Sequence, residues 1–349
     1  MVTNSLLECR RRSTTLYSEC SLCRYEDRQL FLLSRLPVGS SVVISSASQK
    51  YQSWNIPYEY KQNSSFHYLC GIDQPNLLLV LQKLQRNEVR RCLFMHPKPE
   101  SCFPSPLTPS DKIGYLSPRL YPEDAKQFFG MNEVYKLDEI ASVLPTILKD
   151  STHIFSYTSC DAKINSAVAQ ALGSQSVQSV QSVLPELDRI RWIKSLNEQK
   201  QLRFSSSICS TSFNELSSTP RPSVSPFSRV VIGIENRLST IFEYNVKIRG
   251  AQGVSFPTMV AGGANSQYVE YAFNDSIVNP GEVEEGRVSE LQNVVIDCGV
   301  SMNGYQSDMT RVLFAGDAKN GKKAHRDVFL GLNEVYEKCL QLLRTEESW

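Results

Sequence analysis

The segment NVVIDCGVSMNGYQSDMTRVLF, Asn293 to Phe314, holds two β-rich runs on either side of Asn303-Gly304. That dipeptide is the strongest short hairpin signal a sequence offers, because a type I′ turn needs positive φ at both central residues. With the turn there, Met302 opposes Tyr305, Gly299 opposes Asp308 and Asp297 opposes Thr310. Asp297 and Asp308 then share one sheet face as diagonal neighbours, within the ~7–8 Å at which such side chains converge, and Gly299 is expected to leave open space between them. Two like charges held together repel unless a cation neutralises them, and a pair of divalent ions ~3.5–4 Å apart suits carboxylates placed this way. The alternative is a solvent-facing strand pair whose acids merely keep the sheet soluble. Geometry by itself leaves both open.

Working outward, the sequence after the hairpin predicts an amphipathic helix whose Val328, Leu332, Val335, Cys339 and Leu342 seek a partner surface. Upstream, Leu238, Ile241, Phe242, Asn245 and Ile248 predict a helix over Glu235 to Arg249, closed by Gly250. Ser205 to Arg229 turns to Ser, Pro and Thr, with Thr219-Pro220-Arg221-Pro222 unable to continue a helix. The segment 205–229 therefore reads as a loop or disordered insertion. Before it, LDRIRWIKSLNEQKQLRF (Leu187 to Phe204) predicts a helix burying Leu187, Ile190, Trp192, Ile193 and Leu196. Residues 175–183 repeat Gln-Ser-Val three times, which reads as a linker.

The first half alternates strand and helix signals. Gly39 to Ser46, Asn76 to Gln82 and Arg91 to Met95 are short apolar runs, and Leu137 to Leu148 repeats its apolar residues every three or four positions. This predicts an α/β domain over 25–187, preceded by a tail over 1–24 and followed by a second domain over 188–349.

Thirty-seven basic against thirty-six acidic residues give a net charge of +1, which offers no electrostatic excess for nucleic acid or an anionic membrane. The longest apolar run, Leu77 to Leu81, is far short of the ~20 residues of a membrane helix. Ten scattered cysteines predict reduced thiols, and the lone Cys20/Cys23 spacing reads as chance. Arg10, Arg11, Arg12 and Arg24 against Glu8 and Glu19 suggest a mitochondrial transit segment, the alternative being a solvated basic tail on a cytoplasmic protein.

The run D-C-G-x-x-x-x-G-Y-x-S-D-M-T-R, Asp297 to Arg311, resembles the D-G-G…Y-x-S-D-x-T-R signature of the aminopeptidase P branch of the creatinase/prolidase metallopeptidase superfamily. Ile56 to Gln82 resembles that family's N-terminal domain, with a Q-x-x-x-F-x-Y-L-x-G-x-x-x-P core at Gln62, Phe66, Tyr68, Leu69, Gly71 and Pro75. Further resemblance runs through Gly130 to Ile140, Arg189 to Glu198 and Ile248 to Gly263, and the YLCG cysteine and IPY lead-in point to a mitochondrial branch. The resemblance implies a creatinase-like α/β domain followed by an incomplete α+β pita-bread catalytic domain. It implies removal of the first residue from peptides with proline at the second position. It also implies two divalent metal ions, usually manganese, held partly by Asp297 and Asp308, and a homo-oligomer such as a dimer.

Three departures temper that implication. The family completes its site with a histidine and two glutamates from later sequence, and none of His67, His96, His153 and His325 lies in the family's G-H-x-x-G context. In VAGGANSQYVEYAFND (Val260 to Asp275), Glu270 stands where the family has the histidine of L-H-Y, and a carboxylate would repel a developing oxyanion. VEEGRVSELQ (283–292) is extra sequence before the hairpin. The reading that follows is a metallo-aminopeptidase homologue with impaired turnover. A noncatalytic oligomerisation or interaction protein of the same descent is the rival, and a prolidase or creatinase the third reading.

Overall fold

The computed structural model describes residues 25–54, 56–85, 88–97, 122, 125–126, 129–158, 162–173, 180–218, 234–271, 273–274, 293–314 and 323–344. The tail with Cys20 and Cys23, most of the Gln-Ser-Val repeat, residues 219–233 and the extra stretch 283–292 lie outside them. The chain divides into two compact units, Met1–Gln199 and Lys200–Trp349.

The first unit is built on a six-stranded mixed sheet of order β6-β5-β4-β1-β7-β8, from β1 (Ser40–Ser45), β4 (Leu78–Gln85), β5 (Glu88–Met95), β6 (Glu133–Lys136), β7 (His153–Tyr157) and β8 (Val180–Ser182). A two-stranded ribbon, β2 (Tyr51–Ser53) and β3 (Ile56–Pro57), stands apart from it. Strand side chains alternate faces, so the continuous apolar runs noted above serve two cores at once. Val42, Ile44, Leu79, Leu81 and Leu93 pack with α1 (Tyr25–Ser34), α2 (Ser64–Cys70) and α5 (Leu184–Trp192). Val43, Leu78, Val80, Cys92 and Phe94 pack with α3 (Ile140–Leu148) and α4 (Ala162–Gly173).

The residues of the Q-x-x-x-F motif have separate mechanical duties. Gln62 accepts from the amides of Ala47 (2.9 Å) and Asn63 (2.8 Å) and donates to the carbonyls of Ile72 (2.7 Å) and Gln74 (3.1 Å), tying three stretches of chain together. Asn63 caps α2 by accepting from Ser65 and Phe66 amides. Phe66 is fully buried, and Gly71 ends the helix at φ 66° with the Tyr25 ring where a Cβ would stand.

The structure departs from the sequence reading at three places. Val180–Ser182 of the repeat is a strand, not a linker, because it pairs in parallel with β7 at the sheet edge. The helix expected over 187–204 is broken. Its first part, α5, ends at Trp192, Ile193 is extended, and α6 (Leu196–Ser218) starts afresh behind a capping box of Ser195 and Glu198. Trp192, Ile193 and Leu196 are therefore exposed, while Leu187 and Ile190 are buried. Finally, residues 205–218 of the expected 205–229 insertion are helical. Ser205, Ile208, Cys209, Ser212, Phe213 and Leu216 recur at helical spacing on the buried side, and small serines can sit where a helix approaches its neighbour closely.

The second unit contains α6, apart from its first turn, with α7 (Ile234–Ile248), and two small sheets. One has the order β10-β11-β14, from β10 (Met259–Gly262), β11 (Asn293–Cys298) and β14 (Met309–Phe314). The other has the order β13-β12-β9, from β9 (Gly253–Val254), β12 (Val300–Met302) and β13 (Tyr305–Gln306). Ile208, Cys209, Phe213 and Leu216 of α6 and Phe242 and Val246 of α7 pack with Val260, Val294, Ile296, Cys298 and Val300. A last helix, α8 (Lys323–Arg344), follows. No helix among the described residues is long and apolar enough to cross a membrane.

Candidate metal centre

The hairpin has the register its turn requires. Met302 pairs with Tyr305, Cys298 with Met309 and Asp297 with Thr310. Asn303 and Gly304 sit at φ 51° and 80°, the two positive angles of a type I′ turn. The Asn303 amide donates to Gln252 Oε1 (2.8 Å) and its side chain to Gln201 Oε1 (3.0 Å), which anchors the turn.

Thr310 Oγ1 donates to Asp297 Oδ1 at 2.9 Å, so these facing side chains lie on one side of the ladder. Asp308 lies between β13 and β14, next to Met309, which pairs with Cys298. Asp297 is half-buried and Asp308 exposed. On its other edge β11 pairs with β10, where Met259 faces Asp297.

The region around Gly299 corrects one expectation. No open space remains there, since a Cβ on Gly299 would come within 2.0 Å of Ser255 Oγ and 2.1 Å of the Ser307 carbonyl oxygen. The glycine admits a tight serine lock instead. Ser255 Oγ donates to the Ser307 carbonyl (2.9 Å), the Val300 amide donates to Ser307 Oγ (3.1 Å), and the Ser307 amide returns to the Val300 carbonyl (2.9 Å). The serine of the S-D-M-T-R run is thus a buried structural residue that fixes the strand one position before Asp308.

Cys298, next to Asp297 in sequence, alternates to the opposite face and is fully buried. Its thiol donates to the Met309 carbonyl (3.5 Å), and its hydrogen bond with Cys209, followed by burial, pushes its ionisation up. It remains a neutral packing group rather than a ligand thiolate.

Sequence reasoning did not single out Glu235. Its buried carboxylate accepts from the Gly262 amide (2.7 Å) and Asn265 Nδ2 (3.0 Å) through one oxygen, and from Tyr271 Oη (2.9 Å) through the other. It thereby holds both ends of the 262–271 segment that follows β10 and carries the exposed Glu270. From sequence it reads only as an acid in a helix's first turn, where acids are common. Asn274 completes the fold-back by accepting from the Val260 amide (2.7 Å) and donating to the Thr258 carbonyl.

Carboxylate oxygens suit hard divalent ions, so Asp297 and Asp308 fit such an ion in kind. They fall short in number. Among the described residues no three or more His, Cys, Asp or Glu side chains converge on a point, whereas such ions take about six ligands, water included. His67, His96 and His153 belong to the first unit, and the His325 side chain lies outside the described set.

Comparison with known proteins matches residues 25–155 to the aminopeptidase P N-terminal domain and residues 200–349 to metallopeptidase family M24. Xaa-Pro aminopeptidase 3 of Dictyostelium discoideum is 29% identical over 332 residues, covering 93% of this chain and 59% of that protein. The mitochondrial intermediate cleaving peptidase 55 of Arabidopsis thaliana is 30% identical over 297 residues, covering 82% of this chain and 52% of its own. The solved structure of Escherichia coli aminopeptidase P in its low-pH form superposes with a TM-score of 0.77 at 22% identity, covering 93% of this chain and 69% of that one. The chain thus spans little more than half the length of the curated relatives it matches. By its two domain matches, which together cover most of the chain, it belongs to the aminopeptidase P branch of the M24 metallopeptidases.

Proposed function

We propose that this chain is a metallo-aminopeptidase homologue, built to act on peptides with proline at the second position, in which turnover is impaired. The observation that carries the proposal is the register of the hairpin, in which Asp297 pairs with and accepts a hydrogen bond from Thr310, two residues after Asp308. When bound there, a divalent ion would supply Lewis-acid polarisation of a peptide carbonyl. The chain's own residues do the positioning. Thr310 orients the Asp297 carboxylate, the Ser255–Ser307 lock fixes the backbone next to Asp308, and Glu235 sets the segment that carries Glu270.

Impairment follows from chemistry at one position. Glu270 cannot donate a hydrogen bond to a developing oxyanion as an imidazole can. Manganese is the metal we assign, and a mitochondrial location accords with the Arabidopsis relative's name and with the arginines of the first 24 residues. Calorimetric titration with manganese, together with an Xaa-Pro peptide assay, tests the reading. Weak binding abolished by Asp297→Asn or Asp308→Asn, with little or no cleavage, is the expected outcome. Turnover near that of an intact enzyme and lost in Asp308→Ala would refute the impairment. Manganese binding that survives both asparagine variants would remove the site assignment. The second reading, a noncatalytic interaction protein, rests on the exposed apolar side chains of α8.

A further inference from the structure

Cys209 of α6 and Cys298 of β11 are free thiols 89 residues apart in sequence, both buried in the apolar cluster of the second unit. The Cys209 thiol donates to the Cys298 carbonyl at 3.9 Å, and the two sulfurs lie within hydrogen-bonding reach of each other. Cys298 also pairs with Met309 across the ladder and donates to its carbonyl. The candidate metal centre uses neither sulfur, since Cys298 points to the face opposite Asp297. Packing alone asks here for two small apolar groups, which alanine or valine would supply as well. Two thiols in contact are instead the starting geometry of a disulfide, which closes when the sulfurs approach to ~2.05 Å.

We propose that Cys209 and Cys298 form a dithiol site oxidised by hydrogen peroxide, whose disulfide fastens α6 to the strand that carries Asp297. The proposal is independent of catalysis. Burial keeps bulky oxidants out, whereas hydrogen peroxide is little larger than water. The hydrogen bond from Cys298 lowers the Cys209 pKa, although burial opposes it, so Cys209 is the attacking sulfur.

The Cys209 sulfur attacks one peroxide oxygen and the O–O bond breaks. The departing hydroxide takes up a proton and leaves as water, and Cys209 becomes a sulfenic acid. The Cys298 sulfur then attacks the Cys209 sulfur, the S–O bond breaks, and the hydroxyl leaves with the Cys298 proton as a second water. Two thiols lose two electrons to one peroxide, giving one disulfide and two waters. Because the bond spans 89 positions of the chain, it removes freedom from the unfolded state and raises the melting temperature of the second unit.

The test exposes the reduced 349-residue chain to hydrogen peroxide well below its melting temperature, blocks the remaining thiols with N-ethylmaleimide and maps the peptides without reduction. The Cys209 and Cys298 peptides should be found joined, two hydrogens lighter than their sum. In a thermal scan the second unit of the oxidised chain should melt roughly 5–15 °C higher than that of the reduced chain, and dithiothreitol should reverse the shift. The shift should vanish in Cys209→Ala and persist in Cys339→Ser, whose thiol is exposed. Each variant is compared with its own reduced form, so a loss of stability from the substitution itself cancels. Should Cys209→Ala fail to fold, the map of the unsubstituted chain still decides. Cys209 and Cys298 left as thiols, or oxidised separately without a link, would overturn the proposal. So would a shift that survives in Cys209→Ala, or a link that leaves the melting temperature unchanged.

Discussion

The first unit packs helices on both faces of one sheet, so Val42 and Val43, or Leu78 and Leu79, are neighbours in sequence and belong to different cores. The second unit gathers its buried apolar residues into one cluster beneath α6 and α7, while α8 leaves its apolar residues exposed. Each fully buried Leu or Val adds about 1.5–3 kcal/mol, so a sheet covered on both sides has far more to lose on opening than one covered on one side. The first unit is therefore expected to resist opening more than the second.

The strongest way to break this comparison is to remove one core residue from each unit. Leu81→Ala and Ile296→Ala should each cost about 2–5 kcal/mol. Calorimetry should show two transitions, with Ile296→Ala lowering only the first to melt and Leu81→Ala only the second. One shared transition moved by both would show that the units unfold together, and the comparison would fail.

The two glycines offer a smaller test. Gly71→Ala forces a methyl into the Tyr25 ring at a left-handed φ, and Gly299→Ala forces one against the Ser307 backbone oxygen. Each should cost about 1–3 kcal/mol. Only Gly299→Ala should also weaken manganese binding, because Ser307 adjoins Asp308. Equal manganese titration curves would mean that the serine lock does not hold the site.

Smaller again is Glu235. Glu235→Ala leaves two backbone and amide donors and a phenol without an acceptor, for about 1–3 kcal/mol, while Glu235→Gln retains one good acceptor and should cost less. Hydrogen exchange should rise across 262–271 in the alanine variant. Unchanged protection there would remove Glu235 from its positioning role.

The smallest effect is a pH dependence confined to the first unit. Burial lowers the His67 pKa, against an opposing pull from Asp73. In the window between the folded value and the unfolded ~6.5, the unfolded chain binds more protons, so stability is complete above ~6.5 and falls as pH drops through the window. Melting of the first unit should fall below that pH, and His67→Gln should flatten the dependence. A rise on acidification would reverse the sign and defeat it.

The register of the hairpin was legible in the sequence. Asn303-Gly304 fixes it by backbone chirality, so the pairings of Met302 with Tyr305 and of Asp297 with Thr310 follow without tertiary information. Glu235 was illegible because its partners Gly262, Asn265 and Tyr271 lie 27 to 36 residues away. The helix across Ser205–Ser218 was misread because serine content outweighed the spacing of Ile208, Cys209, Phe213 and Leu216. Glycine at 299 could be read as room or as close contact, and only its neighbours distinguish the two.

The sequence by itself determined what local chemistry dictates. The hairpin turn, the cap at Asn63, the left-handed stop at Gly71 and the two-sided apolar strands each depend on nearby residues or on simple periodicity. Tertiary structure alone decided which polar groups are buried and by whom they are satisfied, that Trp192 and Ile193 face solvent after a helix break, and that Ser255 and Ser307 fill the space beside Gly299. Those outcomes depend on contacts between residues far apart in sequence, and the cost of burying a polar or apolar group is set by the neighbour that arrives, which no local pattern specifies.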